Sequence, residues 1–302
     1  MTVLVAGATG RIGAATVEAL VGAGHEPVAM IRSRDRAVAL SKPLQTRVGD
    51  LSVPKSLLEA FDLVDTLLLC SGHAPTLLEH QLNAISAAQE TGIRRIVKIS
   101  ASPASAFPDT PSVAARQHLA IEAALTESGI EHTNIRPNAF AQFIGGFADT
   151  IAAGTLPMTL GAAGVSWVDT RDVGAVAAAA LVTTEPLPRV IEVTGPESLT
   201  GEDLAAALSR GVNRSVIYMP ISDEENRARL EAQGVPEWLV EHVTVIFGLL
   251  RDRDGGRVTQ GVRQFVGRAA TPFSVVIERD RHQLGLVRSS LEPDERRTKG
   301  SG

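Results

Sequence analysis

Gly7, Gly10 and Gly13 stand three residues apart, directly after the apolar run Thr2–Ala6 and at the start of a helical pattern over Arg11–Gly22. A strand, a glycine loop and a helix in that order can hold a dinucleotide pyrophosphate. Each glycine has its own task. Gly7 permits the tight turn, Gly10 lets the backbone approach the anion, and Gly13 lets the helix pack close to the sheet. Thr9, Arg11 and Ile12 complete the loop, whose free N–H groups and helix dipole attract negative charge.

The next chemistry-bearing residues follow later apolar runs. Pro27–Ile31 reads as a second strand and leads into Arg32-Ser33-Arg34-Asp35-Arg36. An acidic residue there would accept bonds from a ribose 2′-hydroxyl, whereas an arginine fork suits a 2′-phosphate. Arg32 and Arg36 therefore favour NADP, and NAD stays open because Asp35 could take the acidic part from a shifted loop. Asp50 and Leu51 end a third run and are expected beside the adenine. Ser71, Gly72 and His73 follow a fourth and are expected beside the pyrophosphate and nicotinamide.

These positions imply the elements that carry them. Strand runs Thr2–Ala6, Pro27–Ile31, Thr46–Val48, Thr66–Cys70, Arg95–Ile99 and Glu131–Ile135 alternate with helical stretches. That order predicts an α/β fold, a doubly wound parallel sheet of Rossmann type with right-handed crossovers. Further strands are expected at Val165–Val168, Val190–Val193 and Val216–Met219. Asp172 is expected to cap the alanine-rich helix that follows it. The expected division is a dinucleotide domain over 1–140 plus 165–195. A smaller substrate domain covers 141–164 plus 196–287, and a disordered tail covers 288–302.

Composition removes other classes of function. The 302 residues carry 29 Lys plus Arg against 34 Asp plus Glu, a net charge of −5, which argues against a nucleic-acid grip built on general basicity. The single cysteine, Cys70, excludes disulfides and cysteine-based metal sites, and no metal is expected. No apolar run reaches about 18 residues and the N-terminus lacks a signal pattern, so a cytoplasmic protein without membrane contact is expected. The partner is a small molecule, and monomer and homodimer both stay open. There is one tyrosine, Tyr218.

The motifs GATGRIG (7–13), VGDLS (48–52), IVKIS (96–100), HLAIEAALTESGIEHTNIRPNAF (118–140) and VSWVDTRDVGAVAAAAL (165–181) resemble the NmrA-like branch of atypical short-chain dehydrogenase/reductases, with its type 2 quinone oxidoreductases and triphenylmethane reductase. The resemblance spans about residues 1–285. Ordinary short-chain dehydrogenases use a Tyr-x-x-x-Lys pair to protonate a developing alkoxide. By the resemblance those positions are Ala114 and His118 here. It also implies catalytic parts for His118, Ser100 and Asn138, and a substrate pocket beginning at Phe140 and Phe143; Trp238, in the apolar stripe after Pro236, is a candidate for the core of the smaller domain or for the pocket roof.

A ketone reduced to an alkoxide wants a positioned acid. A quinone becomes a much weaker base, and a triarylmethyl cation becomes neutral. The absent tyrosine thus tilts the expected substrate towards electron-poor conjugated acceptors. Two alternatives stand beside this reading. One is a reductase or epimerase of a single specialised secondary metabolite. The other is a redox sensor that binds NAD(P) without turnover.

Overall fold

The computed structural model describes residues 1–40 and 43–287; the expected tail at 288–302 lies outside them. In chain order the elements are β1 (Val3–Val5), α1 (Arg11–Gly22), β2 (Val28–Ile31), β3 (Thr46–Val48), α2 (Pro54–Phe61), β4 (Thr66–Leu69), α3 (Leu77–Thr91), β5 (Arg95–Ile99), α4 (Val113–Glu127) and β6 (Glu131–Pro137). They continue with α5 (Ala148–Ala152), β7 (Thr155–Met158), α6 (Thr170–Val182), β8 (Val190–Val193), α7 (Gly201–Val212), β9 (Ile217–Pro220), α8 (Asp223–Ala232), α9 (Glu237–Asp252), α10 (Gly261–Val266) and α11 (Phe273–Asp280).

Seven strands form one sheet in the order β3-β2-β1-β4-β5-β6-β8, and every recorded pairing in it is parallel. The order reverses between β1 and β4. In such sheets the crevice at the reversal, outside the carboxyl ends of the strands, is where ligands bind. Strands β1, β2 and β4 are buried on both faces, which is why they read as continuous apolar runs. In β1, Val3 and Val5 face a core shared with α1 and α6, while Leu4 faces the core under α2, α3 and α4.

A third core belongs to the later segments. It gathers Leu156 and Met158 of β7, Leu204 and Leu208 of α7, Tyr218 of β9, Phe247 and Leu250 of α9, and Phe273 and Ile277 of α11 around Trp167. β7 and β9 pair in parallel as a separate two-stranded sheet. The sequence gives no strand expectation for β7, because Gly154 and Pro157 read as punctuation. Pro157 is tolerated in so short a ribbon, where a missing N–H need not break a ladder.

Two local expectations are corrected. Val165–Val168 is not a strand. Its backbone groups bond to three separate segments: Val165 to Leu199, Ser166 to Gly255, and Val168 to Ala139 and Ala141. Asp172 is not the cap of α6. Asp169 caps it, accepting from the Arg171 N–H at 3.0 Å. Asp172 lies in the first turn, fully buried, where its carboxylate accepts from Arg268 and from the backbone N–H and hydroxyl of Thr271.

Candidate active site

A cleft of about 680 Å³ runs over the carboxyl ends of β1, β2, β3 and β4. Every residue expected at the cofactor lines it except Gly13: Gly7, Thr9, Gly10, Arg11, Ile12, Arg32, Arg36, Asp50, Leu51, Ser71, Gly72 and His73. Gly7 has φ +77°, and a Cβ there would stand 2.4 Å from the Cys70 carbonyl oxygen. Gly13 acts from behind the wall. A Cβ on it would lie 2.1 Å from the Gly7 carbonyl oxygen, so only a glycine lets α1 close onto the loop.

The N-terminus of α1 suits an anion. Its cap residue, Gly10, offers no side-chain bond, and no acidic side chain sits in the first turn. The first N–H groups of the helix therefore keep their donor capacity for the cleft. At the far end stand Arg32 and Arg36, while Arg34 and Asp35 are not part of the lining. A hydrogen bond from Ser33 holds the exposed Asp35 carboxyl below its ordinary pKa. The Asp50 carboxylate folds back onto Ser52, accepting from its N–H at 2.9 Å and its hydroxyl at 2.8 Å. Cys70 lies in the floor, and burial pushes its thiol up to about 11, which makes it inert.

A second chamber of about 310 Å³ adjoins the cleft and shares His73, Phe140 and Phe143 with it. Its floor comes from the ends of β5 and β6 and from Ala114 and His118 of α4. Its roof is α9, through Leu239, His242, Val243, Ile246, Phe247 and Leu250. These six share one helical face. Trp238 falls off that face. It is 40% exposed and lines an outer groove with Val113 and Glu241, so its expected place in the core or the pocket roof is corrected to the rim.

The expected catalytic residues all border the chamber, with unequal freedom. Asn138 is committed to the frame. Its amide donates to the Ser166 hydroxyl and the Gly255 carbonyl, both at 2.7 Å, and its oxygen accepts from Ser102. This ties β6 to the loop after α9 and leaves no amide hydrogen for a substrate. Ser100 donates its hydroxyl hydrogen to Glu122, whose carboxylate also receives both arms of Arg136. Asn138 and Ser100, both expected to be catalytic, are thus each engaged by protein partners at the chamber wall.

His118 is different. Its Nδ1 lies 2.7 Å from the Nζ of Lys98, and Nε2 has no protein partner among the described residues. Burial, with the Lys98 charge second, holds the imidazole well below its ordinary pKa, so the ring is neutral. An ammonium facing Nδ1 makes that nitrogen the acceptor and places the ring proton on Nε2. His73 and His242 complete a histidine group beside it, with ring centroids 4.1 Å apart and His73 6.0 Å from His118.

Lys98 is a site residue that the sequence reading passes over. Its signal is a lysine set between apolar neighbours, Val97 and Ile99, in the short strand Arg95-Ile96-Val97-Lys98-Ile99. His242 carried no motif at all, because α9 meets the chamber only through tertiary packing. Tyr218 is buried in the second sheet, where its hydroxyl donates to the Gly161 carbonyl at 3.0 Å. A Cβ on Gly201 would strike its ring, so it is a packing residue. Among the described residues no tyrosine borders either cavity.

The match to known proteins agrees with this geometry. A family model described as NAD(P)H-binding covers residues 7–184. The chain belongs to that family. It is an NmrA-like atypical short-chain reductase, an NAD(P)H-dependent oxidoreductase. It is 31% identical to an NAD(P)H azoreductase of Xenophilus azovorans over 90% of this chain and 95% of the relative. It is 32% identical to the (4-alkanoyl-5-oxo-2,5-dihydrofuran-3-yl)methyl phosphate reductase of Streptomyces griseus subsp. griseus, again over 90% and 95%. It superposes with a TM-score of 0.82 on the triphenylmethane reductase of a Citrobacter species solved with NADP(H), at 25% identity over 92% of this chain and 99% of that one.

The cleft of this reductase fits a dinucleotide on its own evidence: a positive-φ glycine turn, an uncapped helix N-terminus, and two arginines at the ribose end.

Proposed function

We propose that the protein is an NADPH-dependent reductase of electron-poor conjugated acceptors such as quinones. The observation that carries this reading is the apolar, aromatic-walled chamber that shares His73, Phe140 and Phe143 with the dinucleotide cleft and holds no tyrosine. Ala114 occupies the position where the wider family's tyrosine would stand, and it gives room in place of an acid. The open chamber favours turnover over a purely sensing role, since a sensor needs no space for an acceptor.

When bound, the reduced nicotinamide supplies a hydride. The chain does the rest. Arg32 and Arg36 hold the 2′-phosphate end through planar guanidinium contacts. The α1 N-terminus holds the pyrophosphate. Phe140, Phe143 and Phe247 keep water from the acceptor and align a flat ring, which is proximity work. His118 offers its Nε2 hydrogen to an acceptor anion.

The substrates named in the relatives share one trait. An azo group, a dihydrofuranone whose ring double bond carries acyl groups, and a triarylmethyl cation all accept hydride at a conjugated centre. A doubly activated dihydrofuranone also lends weight to a specialised oxygen-heterocycle substrate. The deciding experiment follows loss of reduced-nicotinamide absorbance with a quinone, an azo dye, an acyl dihydrofuranone and a simple aliphatic ketone. Turnover of the conjugated acceptors with no measurable rate on the ketone is expected. Faster reduction of the ketone overturns the proposal.

A further inference from the structure

We infer that Lys98 is the proton reservoir of this site, recharging His118 from below so that the imidazole can protonate the reduced acceptor from above. The inference rests on the reading just given and deepens it.

The placement follows from strand alternation. Val97 and Ile99 turn to the α1–α6 side of the sheet, and Ile96 to the α4 side. Lys98 shares the parity of Ile96 and so lies beneath α4, at 0% exposure. A lone lysine so placed is costly to desolvate and needs strong partners. It has only two hydrogen-bond partners among the described residues: the Ile99 carbonyl at 3.1 Å and His118 Nδ1 at 2.7 Å. The carboxylate whose charge acts on it, Glu122, is one turn along α4 from His118, but it is spent on Arg136 and Ser100. An ordinary structural lysine would take that carboxylate. Here Arg136 takes it, and the lysine is left facing an imidazole that borders the chamber.

The transfer balances. Hydride arrival leaves the acceptor one proton short. The His118 Nε2–H bond breaks as the acceptor's new O–H or N–H bond forms. One Lys98 Nζ–H bond breaks as His118 gains a hydrogen on Nδ1. The lysine ends as a neutral amine and the histidine as the other neutral tautomer. After product leaves, a solvent proton on Nε2 drives the same two shifts backwards and restores both groups. No second reductant or oxidant is involved.

The electrostatics allow it. Burial pulls the Lys98 ammonium down to about 7, with Glu122 and Cys70 opposing and Arg136 assisting. A lysine near neutrality can give up a proton where an ordinary one cannot. The groups facing the pair are Ser100 on its own strand, Cys70 at the end of β4, Glu122 on α4, Arg136 on β6, and His73 and His242 across the chamber. Burial holds both of those histidines below their ordinary pKa values.

The test uses the whole protein and compares Lys98→Met with the native chain on two acceptors. A quinone needs a proton after hydride arrival, whereas a cationic triarylmethyl dye does not. Quinone turnover at saturating substrate should fall about threefold to tenfold more than dye turnover, a smaller effect than for an alkoxide because the reduced quinone is a weaker base. In the native protein quinone turnover should also decline as pH rises through about 7, and that break should vanish in Lys98→Met. Equal losses on both acceptors, or an unchanged pH profile, overturn the relay. Failure of the native protein to reduce either acceptor instead overturns the proposed function. A readout independent of turnover is the ¹⁵N NMR signature of His118. At about pH 6, where Lys98 is an ammonium, the native ring should be locked with hydrogen on Nε2, and Lys98→Met should mix the tautomers. A native ring already mixed overturns the inference, whatever the variant's folding.

Discussion

The dinucleotide cleft and the acceptor chamber share a wall but are built by different means. The glycine end of the cleft is made of backbone: a glycine turn, free N–H groups and the ends of neighbouring strands. Its parts are local, each within a few residues of a strand end. The chamber is made of side chains from the segments after β4, β5 and β6 and from α4 and α9, which span His73 to Leu250. A backbone cradle reads a generic anion and tolerates little change of shape. A side-chain chamber reads a particular acceptor and can be refitted residue by residue. Changes on one side should therefore leave the other side's readout largely intact.

The largest break is expected at Gly13→Ala. The added carbon would lie 2.1 Å from the Gly7 oxygen, against backbone that cannot step aside. A cost of about 3 kcal/mol or more to the loop weakens NADPH binding by roughly a hundredfold or more. Calorimetric titration measures it, and binding within threefold of native would show that the loop can relax. Next comes Phe247→Ala, which removes a ring packed between Trp167 and Phe143. It should destabilise the chain by about 3 kcal/mol and raise the acceptor KM, while NADPH affinity stays within a small factor. An unchanged KM would remove Phe247 from the acceptor's wall.

Arg32→Glu sharpens the comparison inside the cleft. NADPH should weaken about ten- to a hundredfold more than NADH, because a carboxylate repels the 2′-phosphate and accepts from a 2′-hydroxyl. Equal losses in a binding titration would show that Arg32 does not read the phosphate.

The smallest effect concerns the seam between the main sheet and α9. His73 and His242 stack across it, and burial lowers both, His242 to about 4. A histidine lowered in the folded state takes up protons on unfolding. The seam's contribution to stability is therefore complete above about pH 6.5 and is lost as pH falls towards 4. Thermal melts over that window should show a decline that His242→Gln flattens. An equally steep decline in the variant would place the acid sensitivity elsewhere.

The legibility of the chain follows the same divide. Strands β1, β2 and β4 are read from sequence because burial on both faces makes them unbroken apolar runs, whereas β5 and β6 carry charged and polar residues and are read from their place in the alternating strand-helix order. The cofactor loop is read because its spacing and its strand-to-helix setting are both local. The pair β7 and β9 is half lost, since Pro157 masks a strand whose partner lies about sixty residues on. Val165–Val168 misleads in the opposite direction, being apolar enough for a strand yet bonded to three different segments. Asp172 misleads because an acidic residue near a helix start reads as a cap. Only folding shows that Asp169 takes that part while Asp172 anchors Arg268 and Thr271.

The amino-acid order alone determined the parallel sheet, the glycine loop at the start of α1, the arginines that follow β2, and the presence of a single tyrosine, at 218. These are matters of short-range spacing and of which residues exist. Tertiary structure decided which side chains meet. It turned Trp238 out to the rim and swung the α9 face over His118. It tied Asn138 to Ser166 and gave Glu122 to Arg136, so that Lys98 was left against an imidazole. Those outcomes depend on which face of each strand and helix is buried against which neighbour, and that is fixed only when the segments pack.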